Sequence, residues 1–149
     1  MKKLISLLAA SFLLAGAALA EERATPQDAE ELVKTGIAYL KKHGAEKAYK
    51  EFQNKNGPFI YKDLYLALYD TSGKCVAHGA DPARVGKDFL EAKDPDGKLF
   101  IKERIEIAKA KGKGWQDYKF KNPANGKVEQ KTSYFEQVGD VIFTAGAYK

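Results

Sequence analysis

The tripeptide Asn56-Gly57-Pro58 separates two parts of the sequence that have different hydrophobic periods. Before it, apolar residues recur at intervals of three and four, which is the spacing of one helical face. After it, they alternate as they do along a strand. Proline lacks a backbone donor and clashes with a helical turn before it, so we expect the helix to end here. The 149 residues suit a single domain, and that domain must pack helix against sheet.

The helical part opens with a capping signal. Thr25 is the expected N-cap, Pro26 suits the first helical position, and Asp28 stands three residues after Thr25, as in a capping box. An apolar stripe follows, and it predicts one long helix, or two in sequence, over residues 26–54. Gly44 interrupts this range and would cost a continuous helix about 1 kcal/mol relative to alanine.

Beyond Pro58 the pattern predicts five strands and one more helix. Three leucines alternate with other residues from Leu64 to Tyr69, and a turn follows at 70–74. The remaining elements are a strand at 75–78, a helix at 98–111, and strands at 115–120, 127–138 and 141–148. Short turns join neighbouring strands in antiparallel fashion. We therefore predict an α+β fold, with the long N-terminal helix and the other helix on one face of a five-stranded antiparallel sheet.

The first residues have the pattern of an export signal. Lys2 and Lys3 precede an apolar run that ends in Ala18-Leu19-Ala20, the A-x-A pattern that signal peptidases cleave. We predict a signal peptide over residues 1–20 and one domain over residues 21–149, located in the periplasm or secreted. The apolar run is short for a membrane span, and no second one follows, so no transmembrane anchor is expected.

Charge and cysteine content exclude several classes of function. The net charge of +5 is small and spread along the chain, so we expect no nucleic-acid partner. Cys75 is the single cysteine, which excludes an intrachain disulfide, haem attachment through C-x-x-C-H and a cysteine-rich zinc site. The fold must therefore depend on its hydrophobic core.

The sequence offers no convincing catalytic group. Cys75 and His78 are three residues apart on a predicted strand, so we expect them on opposite faces of the sheet and not as a nucleophile–base pair. His43 lies in a polar run, where it is expected to be solvated. There is no G-x-S-x-G motif. We therefore predict a protein that is not an enzyme, with no catalytic residues and no cofactor.

One acidic segment resembles the start of a calcium loop. Asp94 and Asp96 have the right spacing, but the later ligands and the closing glutamate are missing. The run Asp94-Pro95-Asp96-Gly97 is also typical of a simple turn. We favour the turn and predict no metal site, although the pattern leaves a bound ion at this loop open.

Aromatic residues and one lysine favour a ligand-binding pocket. Small-molecule sites combine apolar walls with a few polar groups that fix orientation. Lys131 falls inside a predicted strand, where it is either a solvated edge charge or an inward charge that needs an anion. A small carboxylate would supply that anion. The aromatic residues concerned are Tyr61, Tyr65, Tyr69, Trp115, Tyr118, Tyr134 and Tyr148.

A series of short motifs resembles a known family. They occur in this order: Gly57-Pro58-Phe59, Leu64-Tyr65-Leu66, Ala77-His78-Gly79-Ala80, Val85-Gly86-Lys87, Asp94-Pro95-Asp96-Gly97-Lys98, Gly114-Trp115, Asp117-Tyr118, Pro123, Gly126-Lys127, Lys131-Thr132-Ser133-Tyr134 and Ala145-Gly146-Ala147-Tyr148. Together they resemble the single Cache (sCache_2-type) sensor domains of bacteria, over most of the chain. The resemblance implies a PAS-like sheet with a pocket between the sheet and its connecting loops.

The resemblance also implies a set of ligand-binding residues. Lys131 would hold a ligand carboxylate, hydrogen bonds would come from His78, Tyr118 and Tyr134, and Tyr65 and Trp115 would form apolar wall; Gly79 belongs to the same motif as His78. Two pairs within this set, Trp115 with Tyr118 and Lys131 with Tyr134, are three residues apart. Without a β-bulge, only one member of each pair can face the pocket.

The implied function is recognition of a small organic acid of the C2–C3 carboxylate class outside the cytoplasm. Domains of this kind usually sit in membrane receptors, but this chain stops at Lys149, directly after the last predicted strand. We therefore expect an exported module that passes its ligand state to a membrane receptor or histidine kinase. The polar outer face of the first helix favours a monomer or a weak dimer. The alternatives are an accessory interaction protein without a small-molecule ligand and, least favoured, an enzyme acting on a small acid.

Overall fold

The computed structural model describes residues 22–149, and the predicted signal peptide lies outside the described residues. Two helices come first, α1 (Pro26–His43) and α2 (Ala45–Phe52), and then four short strands, β1 (Ile60–Tyr61), β2 (Leu64–Tyr65), β3 (Ala67–Asp70) and β4 (Cys75–His78). A 3-10 turn (Pro82–Arg84) and helix α3 (Phe100–Lys111) follow. The chain continues with three long strands, β5 (Lys113–Lys121), β6 (Val128–Val138) and β7 (Val141–Tyr148).

The start of α1 confirms the predicted capping box. The backbone N–H of Asp28 donates to the Thr25 hydroxyl at 3.1 Å, and the Thr25 N–H donates to the Asp28 carboxylate at 2.8 Å. Of the two helical arrangements predicted, the chain adopts two helices in sequence. The break occurs at Gly44, whose φ of 82° is accessible mainly to glycine.

Five strands form one antiparallel sheet in the order β4-β3-β7-β6-β5, which confirms the predicted α+β class. The long β5–β6–β7 meander keeps a continuous register over its whole length. β1 and β2 form a separate hairpin that the sequence pattern did not reveal, because two-residue strands are too short to show a period. The predicted strand at 64–69 is thus divided between this hairpin and the sheet.

Helices cover both faces of the sheet, so the prediction that they share one face is wrong. We call the face under α1 and α2 the helix face and the opposite one the cavity face. Strand alternation assigns Leu66 and Phe143 to the helix face and Tyr65 and Ile142 to the cavity face. The core of the cavity face includes Ile101 and other residues of α3. The loop from Gly79 to Leu99 returns the chain across this face, which a linear pattern cannot reveal.

A β-bulge overturns the prediction that Cys75 and His78 lie on opposite faces. Tyr69 pairs with Cys75 and Ala67 pairs with His78, so two residues of β4 oppose Leu68 alone. The extra residue restores both side chains to the cavity face. Burial nevertheless raises the pKa of the Cys75 thiol to about 11, so this cysteine is protonated at neutral pH and is a poor nucleophile. Within residues 22–149, no helix is long and apolar enough to cross a membrane.

Replacing Thr25 with alanine tests the contribution of the capping box. Thr25→Ala removes the acceptor of the Asp28 N–H, and we expect the free energy of unfolding to fall by about 1 kcal/mol. Thr25→Ser is the matched control, because it keeps the hydroxyl acceptor. Urea denaturation monitored by circular dichroism measures the difference. Equal midpoints for the alanine and serine variants would show that the cap contributes nothing.

Candidate functional site

The candidate site is a small cavity between the cavity face of the sheet and α3. Its volume is about 10 Å³, which is space for roughly one water molecule. The lining contains a lysine, an arginine, a histidine and two tyrosine hydroxyls beside Tyr65, but no carboxylate. The lining residues are Tyr65, Ala67, Tyr69, His78, Phe100, Arg104, Tyr118, Phe120, Lys131, Thr144 and Ala145. We call this space the inner cavity.

Lys131 is the central charge of the inner cavity. It is only 4% exposed and lies on β6, the central strand of the β5–β6–β7 meander. Its Nζ donates to the Tyr65 hydroxyl at 3.0 Å and to the Tyr148 hydroxyl at 3.4 Å. The same ammonium lies 4.4 Å from the centroid of the Tyr65 ring and 4.8 Å from that of Tyr148. No carboxylate within residues 22–149 forms an ion pair with it.

Gly146 provides the space that the Lys131 side chain occupies. Gly146 pairs with Ser133 across β6 and β7, on the cavity face. A Cβ at Gly146 would lie 2.5 Å from Cε of Lys131 and would also collide with Oγ of Ser133. A larger residue at this position would therefore displace the lysine from the cavity.

Two tyrosine hydroxyls contact the ammonium, and a third tyrosine, Tyr118, lines the same cavity. The hydroxyls of Tyr65 and Tyr148 lie 3.2 Å apart, and the Tyr148 hydroxyl also donates to the Lys121 carbonyl at 3.1 Å. Tyr118 stacks on Phe100 with ring centroids 4.7 Å apart, and its hydroxyl accepts from Ser133 Oγ at 3.2 Å.

Tyr118 is unusually acidic for a buried tyrosine. Burial disfavours the phenolate, but the positive charges of Lys131 and Arg104 outweigh burial and lower the pKa of Tyr118 to about 8. For Tyr65, in contrast, burial prevails and raises the pKa. The electrostatic potential at Tyr118 therefore favours negative charge.

His78 is a neutral hydrogen-bond donor at the edge of the inner cavity. Its Nδ1 accepts from the backbone N–H of Asp81 at 2.9 Å, so in the neutral ring the proton resides on Nε2. Burial, assisted by the charges of Arg84 and Lys131, lowers the pKa of His78 to about 3. The imidazole is therefore uncharged at physiological pH and adds no cation to the site.

Arg104 is a charged residue of the site that sequence reasoning missed. It lies on α3, is 2% exposed and lines the inner cavity. Its Nε donates to Gln116 Oε1 at 3.2 Å. The signal that could have revealed it is its position: Arg104 falls in the apolar stripe formed by Ile101, Ile105 and Ala108, where a charged residue is out of place.

A wider cleft, which we call the outer cleft, adjoins the inner cavity. It encloses about 440 Å³. Tyr65, His78 and Phe120 line both spaces. Arg84 lies on its wall and stacks on Phe89, with its Cζ 3.9 Å from the ring centroid. The remaining lining residues are Lys121, at the end of β5, and four loop residues: Ala80, Asp81, Pro123 and Gly126.

The structure does not bring every predicted site residue to the cavity. Tyr65, His78, Tyr118 and Lys131 line it. Trp115 and Tyr134 pair with each other on the helix face, their rings 5.1 Å apart, and Trp115 is 43% exposed. β5 and β6 contain no bulge, so parity excludes both residues from the cavity face. Gly79 lines a neighbouring surface groove, where a Cβ would lie 2.9 Å from the Phe52 carbonyl oxygen.

The Asp94 segment forms the turn that was favoured over a calcium loop. The Gly97 N–H donates to the Asp94 carbonyl at 2.9 Å. One oxygen of the Asp94 carboxylate accepts from the backbone N–H groups of Asp96 and Lys98, and the other accepts from the N–H of Lys119. These hydrogen bonds connect the turn to β5, and both oxygens of the Asp94 carboxylate accept at least one of them.

The low pKa of His78 predicts a pH dependence of stability. The folded state resists protonation down to about pH 3, whereas the unfolded histidine takes up a proton below pH 6.5. The free energy of unfolding should therefore fall as the pH drops below 6.5, by at most about 1.4 kcal/mol per pH unit. Urea denaturation between pH 7.5 and about 5, above the range of most carboxylates, measures this slope.

His78→Asn should flatten the slope, because asparagine has no titratable group and its amide oxygen can accept the Asp81 N–H. His43→Asn, at the end of α1, is the matched control. Partial burial and nearby lysines also lower the pKa of His43, but this residue is less buried than His78, so the variant should keep more of the slope than His78→Asn. An unchanged slope in His78→Asn would mean that His78 is not the residue responsible.

Comparison with known proteins identifies the family. The family model for single Cache domain 2 matches residues 1–147. Two relatives align with about half of the chain. The sensor histidine kinase MctS of Rhizobium johnstonii is 38% identical over 73 residues, and the methyl-accepting chemotaxis protein McpP of Pseudomonas putida is 28% identical over 74 residues. The aligned part is only 16% of the kinase and 14% of the chemotaxis protein.

Solved structures share the fold. A methyl-accepting chemotaxis protein from Vibrio parahaemolyticus superposes with a TM-score of 0.71 and 21% identity, covering 82% of this chain and 86% of the other. A Cache chemosensory domain described in terms of carboxylic acid recognition gives a TM-score of 0.64 and 24% identity, with the same coverage. These likenesses agree with the helices and sheet described above. The chain therefore belongs to the single Cache domain 2 family of extracytoplasmic, non-enzymatic sensor domains.

Proposed function

We propose that this protein binds a small organic acid of the C2–C3 carboxylate class in the inner cavity, with the ammonium of Lys131 as the partner of the ligand carboxylate. The observation that carries the proposal is that Lys131 is buried without an acidic partner within residues 22–149. Cleavage after Ala20 would release the domain outside the cytoplasm. There it would pass its ligand state to a membrane receptor or histidine kinase.

The energetic argument concerns the unpaired ammonium. Burial of a charge is costly unless the charge is paired and hydrogen-bonded. The hydroxyls of Tyr65 and Tyr148 are neutral, so they satisfy the hydrogen-bonding capacity of Lys131 without compensating its charge. A ligand carboxylate would accept a hydrogen bond from the ammonium and would also supply the opposite charge that the hydroxyls lack.

The volume of the inner cavity restricts the part of the ligand that reaches Lys131 to a small group. The inner cavity holds about 10 Å³, so a carboxylate can enter only if the hydroxyls of Tyr65 and Tyr148 move away from Lys131. Tyr65, His78 and Phe120 also border the outer cleft, and they would contact the short alkyl part of the acid. The Nε2 proton of His78 and the Tyr118 hydroxyl are the proposed additional donors. Trp115, Tyr134 and Gly79 do not belong to the proposed contact set.

The relatives support this proposal by analogy. One structural neighbour is described as a carboxylic acid sensor, and two sequence relatives are a histidine kinase and a chemotaxis protein. Signalling through such a partner is the role that fits a sensor domain. The relatives support the proposal that this domain is a sensor. The proposal that its ligand is a carboxylate rests on the positive charges of the inner cavity.

One observation favours the second candidate, an accessory interaction protein without a ligand. The hydroxyls of Tyr65 and Tyr148 already bond to each other, and the inner cavity has little free volume. The buried position of Lys131 is the observation against it, because a lysine without a ligand role would be expected to reach solvent. Ligand binding decides between the two.

A panel of small acids tests the proposed function. Acetate, propionate, lactate and pyruvate should raise the melting temperature, whereas acetamide, the neutral analogue of acetate, should not. At about 100 times its dissociation constant, a ligand stabilises the fold by about 2.7 kcal/mol, which is a shift of several degrees for a domain of this size. Differential scanning fluorimetry on protein that has been refolded to remove bound ligand is suitable. No shift with any acid would favour the accessory interaction protein.

Lys131→Met tests the central residue. The substitution keeps the length of the side chain and removes the charge, so binding of the acids should be lost in isothermal titration calorimetry. The unfolding free energy without ligand should not fall, because an uncompensated buried charge has been removed. Lys109→Met, at an exposed position of α3, is the matched control. Carboxylate binding that persists in Lys131→Met would show that the ligand binds elsewhere.

A further inference from the structure

We propose that Arg104 is a second anion-binding residue, so that the inner cavity holds one planar anion between its guanidinium and the ammonium of Lys131. This inference rests on the proposed function and deepens it. It adds a cation that the sequence motifs did not indicate, and it makes the site selective for a negatively charged planar group over its neutral analogues.

The position of Arg104 is unusual for a charged side chain. Arg104 lies on the face of α3 that packs on the sheet, beside Ile101 and Ile105, and is 2% exposed. Arginine is seldom fully buried unless it is paired. No acidic side chain within residues 22–149 forms an ion pair with it. Its charge therefore lacks a counterion in the protein, as that of Lys131 does.

The guanidinium is held in one orientation. Nε of Arg104 donates to Oε1 of Gln116 at 3.2 Å, and Nε2 of Gln116 donates to the Phe100 carbonyl at 2.9 Å. Gln116 is itself buried on the cavity face of β5, paired with Ser133. The two hydrogen bonds fix the plane of the guanidinium relative to the sheet and to α3. They do not engage Nη2, which is buried and has no hydrogen-bond partner.

Arg104 and Lys131 act on the same small space. Both line the inner cavity. The positive charges of Lys131 and Arg104, together with hydrogen bonds from Ser133 and Arg104, lower the pKa of Tyr118 and so favour its phenolate form. Cζ of Arg104 lies 5.3 Å from the centroid of the Tyr118 ring. Both cations therefore interact electrostatically with Tyr118, and the lining of the cavity contains no acidic residue that would offset their charge.

A purely structural role for Arg104 does not explain why part of its guanidinium has no partner. Contacts with the rings of Phe100 and Tyr118, at 5.9 and 5.3 Å, place the guanidinium near the limit of about 6 Å for a cation–π interaction. Those contacts leave Nη2 unsatisfied, and an unmade buried hydrogen bond costs free energy. A bound anion would satisfy Nη2 and would compensate both charges.

The chemistry of the pair specifies the kind of anion. A guanidinium matches the planar geometry of a carboxylate, while an ammonium acts as a compact charge with freely rotating donors. The small cavity excludes bulky anions. The carboxylate group of acetate and the nitrate ion are both planar and singly charged. Acetate therefore serves as the organic probe of the site and nitrate as the inorganic probe. Bound anion would also oppose ionisation of Tyr118, because it adds negative charge beside the hydroxyl.

Calorimetric titration of the full domain with sodium acetate and with sodium nitrate tests the proposal. Arg104→Met should weaken binding of both anions about tenfold or more, the scale of a lost charge-assisted hydrogen bond. Arg104→Lys keeps a buried positive charge but lacks the planar fork, and it should bind both anions more weakly than the wild type. Lys109→Met, on the same helix, is the control and should bind as the wild type. Circular dichroism melting verifies that each variant is folded.

The outcomes separate this inference from the proposed function. If folded Arg104→Met and Arg104→Lys bind acetate as tightly as the wild type, while Lys131→Met does not bind it, the role of Arg104 is wrong and the carboxylate proposal stands. If nitrate binds in a manner that depends on Arg104 and no organic acid binds, the anion pair stands and the carboxylate proposal is wrong. If the wild type binds neither nitrate nor any of the four organic acids, both are wrong.

A spectroscopic measurement supplies a readout that a merely structural role of Arg104 would not change. In the wild type, tyrosinate absorbance should show an early transition near pH 8 that belongs to Tyr118. Saturating nitrate should move this transition to higher pH, and the shift should be reduced in Arg104→Lys. A transition that nitrate leaves in place would contradict anion binding beside Tyr118.

Discussion

The buried ammonium of Lys131 is the constraint on which the arrangement of the cavity face depends. A lysine can remain in this position only because β7 has no side chain at Gly146 and because two tyrosine hydroxyls meet its donors. Those hydroxyls come from β2 and β7, so the lysine links the small hairpin to the centre of the sheet. The site is therefore a property of the tertiary fold and not of one local motif.

The two faces of the sheet divide structural and functional roles. The helix face is packed with apolar residues of α1 and α2, and Gly36 allows the helix to approach so closely that a Cβ there would lie 2.7 Å from Cδ1 of Leu66. The cavity face buries polar and charged groups, including Lys131 and Arg104, which do not favour folding when they are unpaired. Tight packing on one face can thus offset the cost of a charged site on the other.

The sequence predicted what depends on local pattern and missed what depends on contacts between distant segments. The capping box at Thr25, the break at Gly44 and all five strands of the sheet follow from residue type and period. The bulge in β4 was missed because one extra residue leaves little trace in a four-residue strand, and it reversed the expected faces of Cys75 and His78. Motif matching grouped Trp115 and Tyr134 with Tyr118 and Lys131, whereas strand parity separates them. Arg104 was missed because its burial depends on how α3 packs on the sheet.

The cations of the site lie on core elements, whereas much of the outer cleft is lined by loops, and this difference has an evolutionary consequence. The two cations of the inner cavity, Arg104 and Lys131, lie on α3 and β6, where a change disturbs the core. The outer wall includes Ala80, Asp81, Pro123 and Gly126, all of them in connecting segments. Loops tolerate substitution and insertion better than the elements they join. Descendants of this domain could therefore change the length of the molecule they accept while still requiring an anion.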